Sequence, residues 1–116
     1  MEQELTEAWQ EAIAAREHAY APYSGFRVGA AIVINQAACN GNAPRIVSGC
    51  NVENASYGAT ICAERNAILA AIRQCGSDSA ARERRLFESM VVVTAEQDAT
   101  PPCAECLQVM AEVCGP

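Results

Sequence analysis

Residues 28–34 read Val-Gly-Ala-Ala-Ile-Val-Ile and form the longest apolar run of the chain. Runs of this length that are rich in Val and Ile are typical of buried β-strands, and we predict a strand over residues 27–35. The run is far shorter than the roughly 18 apolar residues that a membrane-spanning helix needs. We therefore expect a sheet built around this strand and no association with a membrane.

The segments on either side predict a helix before this strand and a hairpin after it. The apolar residues that recur at helical spacing near the start of the chain are Leu5, Trp9, Ala12 and Ile13. Pro22 ends that pattern, because proline lacks the amide hydrogen that a helix uses. Residues 36–44 contain Asn, Gly and Pro and are typical of a loop, so that a second strand over 45–52 would pair with the first.

The remainder of the chain predicts a helix, a strand and a helix. The second helix is expected to begin at Thr60 or Ile61 and to end at Gly76, a residue type that often caps a helix C terminus. Three consecutive valines predict a buried strand over 89–94, and a third helix is expected over 104–114. The order α-β-β-α-β-α indicates one α/β domain over residues 1–116, in which the third strand adds in parallel through a crossover.

The charge of the chain argues against a nucleic-acid partner. The net charge is −6, and all eight basic residues are arginines. Nucleic-acid binding requires a basic surface that displaces phosphate counterions, whereas the one arginine cluster, over residues 82–85, is interrupted by Glu83. Residues 1–4 lack the basic and apolar start of a secretion signal, so we expect a cytoplasmic protein.

Cysteine is the most informative residue type in the composition. The chain has seven cysteines, an odd number, and no sign of export, which disfavours a disulfide framework and favours metal or thiol chemistry. Three of them stand at predicted helix starts, where the partial positive charge of the helix favours thiolate over thiol: Cys62, Cys103 and Cys106. The other four are interpreted as small buried or loop residues: Cys39, Cys50, Cys75 and Cys114.

A zinc ion suits three thiolates. Zinc binds thiolates in a tetrahedron, and catalytic sites keep the fourth position open for a water molecule. Glu64, two residues after Cys62, could reach that water and carry its proton without being a ligand.

Two alternatives to a catalytic zinc site remain open at this point. Cys103 and Cys106 could form a redox pair, or the zinc could be structural, with a fourth ligand from Cys50, Cys75, Cys114 or His18. The combination of Cys62-Ala63-Glu64 with Pro-Cys-x-x-Cys nevertheless matches the zinc-deaminase signature, with Cys in place of His.

Four segments closely resemble the cytidine deaminases, specifically the small homotetrameric enzymes that act on free nucleosides. The segments are Tyr23-Ser24-Gly25-Phe26-Arg27-Val28-Gly29-Ala30-Ala31, Gly49-Cys50-Asn51-Val52-Glu53-Asn54-Ala55-Ser56-Tyr57-Gly58, Cys62-Ala63-Glu64-Arg65-Asn66-Ala67 and Pro102-Cys103-Ala104-Glu105-Cys106-Leu107-Gln108. The resemblance implies a three-layer α/β/α sandwich, a mixed sheet with helices on both faces. It also implies hydrolytic deamination of cytidine and deoxycytidine to uridine and deoxyuridine plus ammonia, in pyrimidine salvage.

The resemblance also implies roles for the residues at the predicted metal centre. Cys62, Cys103 and Cys106 would bind one Zn²⁺ per subunit, and Glu64 would be the catalytic general acid and base. Arg65 would donate hydrogen bonds to the zinc thiolates and draw charge from the sulfurs. The alternative for Arg65 is an ordinary arginine on a helix surface.

The substrate would be held by residues of three segments. Asn51 and Glu53 would hydrogen-bond the ribose, Phe26 would pack against the pyrimidine, and the backbone at Ala63 would help hold the edge of the base. The alternatives are a solvated strand end for Asn51 and Glu53 and a core position for Phe26. With no basic residues placed for a phosphate, the pattern favours nucleosides over nucleotides.

The sequence departs from the family pattern at two places. Leu107 stands where family members commonly carry Arg, which predicts a more electron-rich metal site and slower turnover. The chain ends at Pro116, without the C-terminal strands that are usual in the family. These departures leave two alternatives open, a deaminase of a modified aminopyrimidine nucleoside such as a nucleoside antibiotic, or a non-catalytic relative stabilised by zinc.

Overall fold

The computed structural model describes residues 2–36, 39, 44–75 and 86–94. The elements within these ranges follow the order α-β-β-α-β. They are α1 (Glu2–Arg16), β1 (Val28–Ile34), β2 (Ile46–Cys50), a 3-10 turn (Tyr57–Ala59), α2 (Ala63–Cys75) and β3 (Phe87–Thr94). The expected order is therefore confirmed as far as β3, and the helix expected over 104–114 lies outside the described residues.

β1 is the central strand of the sheet, whose order is β2-β1-β3. Both neighbouring pairs are antiparallel, with Gly29 opposite Cys50 and Val28 opposite Thr94. The parallel addition expected of the third strand is wrong, because β3 pairs with the second edge of β1 rather than with β2. β3 does run in the same direction as β2, with β1 between them. No parallel pair occurs among the three described strands, so the mixed character of the sheet stays a prediction.

Helix α1 covers one face of the sheet through small residues. Ala8 and Ala12 are completely buried, and a Cβ atom on Gly29 would overlap the carbonyl oxygen of Ala12. This close approach leaves no room for large side chains, so Leu5 and Trp9 point outward and are 38% and 54% exposed. The apolar stripe expected to include Leu5 and Trp9 is thus wrong. The sheet residues of this cluster are Ala31, Val33 and Val93.

Helix α2 covers the opposite face. Its buried residues share a cluster with the alternate positions of β1, and the cluster includes Ala30, Ile32, Ile34, Ala63, Ala67, Ile68 and Ala71. A Cβ atom on Gly49 of β2 would lie 2.5 Å from the backbone nitrogen of Ala67, so α2 also lies close to the sheet. Since successive residues of a strand point to opposite faces, the apolar run of β1 serves both helices. The expected α/β sandwich with helices on both faces is confirmed.

One disulfide links two cysteines of the described chain. Cys39, after β1, is bonded to Cys75, the last residue of α2, across a sequence separation of 36 residues. This corrects the expectation that disulfides are disfavoured and that both residues are merely small side chains. The spacing along the chain cannot reveal the pair, because the fold alone brings the two Cα atoms to 4.7 Å. Among the described helices, neither is long and apolar enough to cross a membrane.

Candidate active site

The start of α2 carries the first group of predicted site residues. The carbonyl oxygen of Cys62 accepts a hydrogen bond from the amide of Asn66 at 3.0 Å, so Cys62 occupies the N-cap position. Its thiol is half-buried and is not part of a disulfide. The amides of the first helical turn lack partners within the helix and carry a partial positive charge, which stabilises a thiolate at this position.

Arg65 lies next to the sulfur of Cys62. Its Nη2 atom is 3.8 Å from Cys62 Sγ and donates a second hydrogen bond to the carbonyl oxygen of Thr60 at 2.8 Å. The side chain is half-buried, which differs from an ordinary exposed arginine on a helix surface. A cationic donor held against a sulfur atom withdraws electron density from it.

Glu64 is buried in the first turn of α2, with only 7% of its surface exposed. Carboxylates are seldom buried, because they lose their hydration, and the positive end of a helix compensates part of that cost. Ala63, which is completely buried, is the first residue of the helix. Its amide therefore belongs to the set that has no partner within the helix and can donate to a ligand.

Hydrogen bonds fix the start of α2 against the end of β2. The side-chain nitrogen of Asn66 donates to the carbonyl oxygen of Cys50 at 2.9 Å. Val52 and Ile61 exchange two backbone hydrogen bonds, each 2.9 Å long. Because Cys62 directly follows Ile61, the helix start lies beside the segment 51–53 that carries Asn51 and Glu53.

The side chain of Asn51 is hydrogen-bonded to the backbone of both Val28 and Phe26. Its Oδ1 atom accepts a hydrogen bond from the amide of Val28 at 2.8 Å, and its Nδ2 atom donates to the carbonyl oxygen of Phe26 at 2.9 Å. The side chain is 8% exposed, so it is not a solvated strand end. This bracing of the segment before β1 was missed by the sequence reasoning, and only the local preference of Asn for backbone hydrogen bonds could have suggested it. One N–H and one lone pair of the amide remain for a further contact.

Glu53 is held by the turn that precedes Phe26. Its Oε1 atom accepts hydrogen bonds from the amides of Tyr23 at 3.0 Å and Ser24 at 3.1 Å, and its Oε2 atom accepts one from the hydroxyl of Ser24. The hydroxyl of Ser24, followed by the two backbone amides, lowers the pKa of Glu53 below its ordinary value of 4.5. Glu53 is therefore an ionised acceptor at neutral pH.

Phe26 lies outside the core, and its backbone is hydrogen-bonded to the side chains of Asn51 and Ser24. It is half-buried, and neither of the two core clusters of the described residues includes it. Its amide donates to the hydroxyl oxygen of Ser24 at 3.0 Å. The preceding residue, Gly25, has φ = +71°, a conformation that glycine adopts at little cost. The core alternative for Phe26 is not what the structure shows.

Those predicted site residues that the structure describes lie on segments at one end of the sheet. β1 begins at this end of the sheet, and both β2 and β3 finish there, since Val28 is opposite Thr94 and Gly29 is opposite Cys50. The chain therefore leaves β3 at the same end of the sheet at which α2 begins. Nine residues after Thr94 the sequence reaches the second cysteine motif. The predicted residues of that motif lie outside the described residues: Cys103, Cys106 and Leu107.

The donor chemistry at the start of α2 fits a zinc ligand. Zinc in proteins is bound by thiolates, and Cys62 combines a helix N terminus with a cationic donor at its sulfur. Within residues 2–36, 39, 44–75 and 86–94 no group of three potential metal ligands occurs, since two of the three expected cysteines fall outside these ranges.

The structure argues against Cys75 as the fourth ligand of a structural zinc site. Cys75 is bonded to Cys39 and lies at the opposite end of α2 from Cys62. Cys50 is half-buried at the end of β2, and this burial raises the pKa of its thiol. His18 is exposed in the turn that follows α1.

The chain resembles known proteins over most of its length. The profile of the family described as "Cytidine and deoxycytidylate deaminase zinc-binding region" matches residues 2–115. A cytidine deaminase of Halalkalibacterium halodurans is 43% identical over 90% of this chain and 68% of its own length. One of Sporosarcina psychrophila is 41% identical over 86% of this chain and 62% of its own length.

Solved structures show the same likeness. The crystal structure of cytidine deaminase from Burkholderia pseudomallei superposes with a TM-score of 0.76 at 42% sequence identity, over 93% of this chain and 75% of that one. The enzyme from Mycobacterium leprae superposes with a TM-score of 0.75 at 35% identity, over 97% and 82% of the two chains.

Proposed function

Because the chain belongs to the family of zinc-binding cytidine and deoxycytidylate deaminases, we propose that it hydrolyses cytidine and deoxycytidine to uridine and deoxyuridine, with release of ammonia. The observation that carries the proposal is the start of α2. There Cys62 is the N-cap, Arg65 lies at its sulfur, and the carboxylate of Glu64 is buried in the first turn.

The zinc ion would be held by Cys62, Cys103 and Cys106. The path of the chain supports these three ligands, because β3 finishes at the end of the sheet at which α2 begins. When bound, zinc supplies the Lewis acidity that makes a water molecule a nucleophile at neutral pH. Three thiolates around a dication leave one net negative charge, which weakens that acidity. Arg65 offsets part of the effect through its hydrogen bond to Cys62.

Glu64 would move the protons of the reaction. It takes a proton from the attacking water and delivers it to N3 of the pyrimidine as the water oxygen bonds to C4. It then takes the remaining proton from the oxygen on C4 and transfers it to the amino group, so that the C4–N bond breaks, ammonia leaves and the oxygen becomes the C4 carbonyl of uridine. The burial of Glu64 in the first helical turn supports this role, since the carboxylate is shielded from bulk water and lies at the positive end of the helix.

The nucleoside would bind along segment 51–53 and the turn before β1. Glu53 is an ionised acceptor for a ribose hydroxyl, and Asn51 retains one N–H that can donate to the sugar. Phe26 would pack on the face of the pyrimidine, and the amide of Ala63 would contact its edge. The net charge of −6 and the acidic side chain in the sugar site favour a nucleoside over a nucleotide.

The wider setting is part of the same proposal. We propose one cytidine deaminase domain that acts as a homotetramer in the cytoplasm, in pyrimidine salvage. The resemblance of the four sequence segments to the small homotetrameric enzymes supports this setting. Analytical ultracentrifugation of the zinc-loaded protein tests the assembly, and a mass of one or two subunits would contradict it.

Conversion of cytidine by zinc-loaded wild type and by E64A tests the function. We expect uridine formation by the wild type and a kcat lower by about 10²- to 10⁴-fold in E64A, the usual contribution of a general acid and base. E7A, which removes an exposed carboxylate of α1, is the matched control and should keep wild-type activity.

The results of this assay distinguish the proposed function from its two alternatives. Equal rates for E64A and wild type would contradict the role of Glu64. A folded, zinc-bound wild type that leaves cytidine unchanged but deaminates a modified aminopyrimidine nucleoside would favour the antibiotic-type substrate. No conversion of any such nucleoside would favour the non-catalytic relative.

A further inference from the structure

The turn between α1 and β1 places a serine hydroxyl between two residues of the proposed nucleoside site. The turn is closed by a hydrogen bond of 2.9 Å from the amide of Gly25 to the carbonyl oxygen of Ala21, and Gly25 adopts a left-handed conformation. Ser24 is an exposed residue of this turn, yet its hydroxyl makes two hydrogen bonds. Serine hydroxyls in turns often accept an amide hydrogen from two residues further on, as Ser24 does from Phe26. The donation to Glu53, 29 residues away in the sequence, is the contact that a turn by itself does not need.

The two hydrogen bonds of Ser24 join Glu53 to Phe26. The hydroxyl donates to Oε2 of Glu53 and accepts the amide hydrogen of Phe26 at 3.0 Å. A hydroxyl has one hydrogen and two lone pairs, so it can do both at once. Donation to a carboxylate polarises the hydroxyl and strengthens its acceptance from the amide.

Both partners are also held from their other sides. The amide of Glu53 donates to the carbonyl oxygen of Tyr20 at 2.8 Å, and the carbonyl oxygen of Phe26 accepts from Asn51 at 2.9 Å. Ser24 therefore closes a ring of contacts in which the remaining members are already fixed. Oε2 of Glu53 has a second lone pair, so the serine orients the carboxylate without using its whole capacity as an acceptor.

We propose that Ser24 is a positioning residue that sets the sugar-binding carboxylate of Glu53 and the backbone of Phe26, whose ring would pack on the base, at a fixed separation, so that nucleoside binding depends on its hydroxyl and the chemical step does not. The inference rests on the proposed function, since it assigns the two partners to a nucleoside site. Ser24 lies in a different segment from the residues that would bind zinc or move protons.

Steady-state kinetics with cytidine test the effect on binding. S24A should raise KM about five-fold, the usual effect of losing one hydrogen bond such as that from the Ser24 hydroxyl to Glu53, and leave kcat within about two-fold of wild type. S24T keeps the hydroxyl on an exposed position and should restore KM. S56A, which removes another exposed serine hydroxyl from the loop after Glu53, should change neither constant.

Amide hydrogen exchange without substrate tests the positioning itself. In S24A the amide of Phe26 should exchange faster than in wild type and S24T. The amide of Val28, which donates to Asn51 instead, serves as the internal control and should be unchanged.

The two measurements separate failure of this proposal from failure of the proposed function. Unchanged exchange at Phe26 in S24A overturns the positioning role, whatever the activity. Faster exchange with an unchanged KM, or a loss confined to kcat, overturns the role in nucleoside binding. A wild type that binds zinc but deaminates neither cytidine nor a modified aminopyrimidine nucleoside overturns the assignment to a nucleoside site through the proposed function, while the exchange data still report on the contact between Ser24 and Phe26.

Discussion

The two ends of helix α2 each carry a cysteine, and the surroundings give the two residues different chemistry. At the start, the half-buried Cys62 caps the helix, and a guanidinium nitrogen of Arg65 lies 3.8 Å from its sulfur. At the end, Cys75 is 1% exposed and is bonded to Cys39. A helix offers positive charge at its start and carbonyl oxygens at its end, so only the first position favours a thiolate. The two cysteines of one helix thus differ: Cys62 is the proposed zinc ligand, and Cys75 is a covalent link to Cys39.

Replacement of Cys62 tests whether only the cysteine at the start of α2 binds zinc, and it has the largest expected effect. C62A should lower kcat/KM by about 10³-fold or more, because an impaired zinc site costs several kcal/mol of transition-state stabilisation. C75A should keep its zinc and most of its activity. Metal content measured by mass spectrometry together with uridine formation gives the result. Full zinc occupancy and activity in C62A, or loss of zinc in C75A, would reverse the assignment of the two ends.

Replacement of the second cysteine tests the disulfide. For a separation of 36 residues, loop-closure entropy predicts that C75A lowers the free energy of unfolding of the oxidised protein by about 3–4 kcal/mol. Urea unfolding of zinc-loaded protein measures the change. C50A removes a half-buried cysteine outside any disulfide and is the matched control. Equal unfolding midpoints for C75A and C50A would show that the disulfide does not stabilise the end of α2.

Removal of the cation beside Cys62 gives the smallest expected effect and sharpens the contrast between the helix ends. R65Q keeps a hydrogen-bond donor but removes the charge, and it should lower activity by about 10- to 100-fold, as is usual for groups that support metal ligands. R73Q, which removes an exposed arginine from the last turn of the same helix, should leave activity unchanged. Matching rates for R65Q and wild type would separate the contact at the sulfur from catalysis.

Parts of the fold that depend on short stretches of sequence were predictable. The apolar run of β1 and the helical spacing after Cys62 were correctly interpreted, and the start of α2 differs from prediction by two or three residues. The exposure of Trp9 was not predictable, because it follows from the absence of a side chain at Gly29, a residue of another element. The pairing of β3 with β1 likewise depends on which strand edge is open after the crossover.

The candidate site was likewise predictable from the sequence only in part. Cys62, Ala63 and Glu64 could be chosen from the sequence, because their spacing and helix position are local properties. The double contact of Asn51 and the contact of Ser24 with Glu53 could not, since they join segments that are 23 to 29 residues apart. The role of Ser24 became visible only when both partners of its hydroxyl were known.

The sequence by itself determined the order of the elements as far as β3, the residue types of a zinc-dependent deaminase and the position of Cys62, Ala63 and Glu64 at a helix start, because these are set by neighbours within one or two turns or strands. Tertiary structure alone decided which cysteines are bonded, which face of α1 is buried and which groups brace Glu53 and Phe26. Those outcomes depend on distances between remote segments, and such distances exist only after the sheet and its two helices have packed.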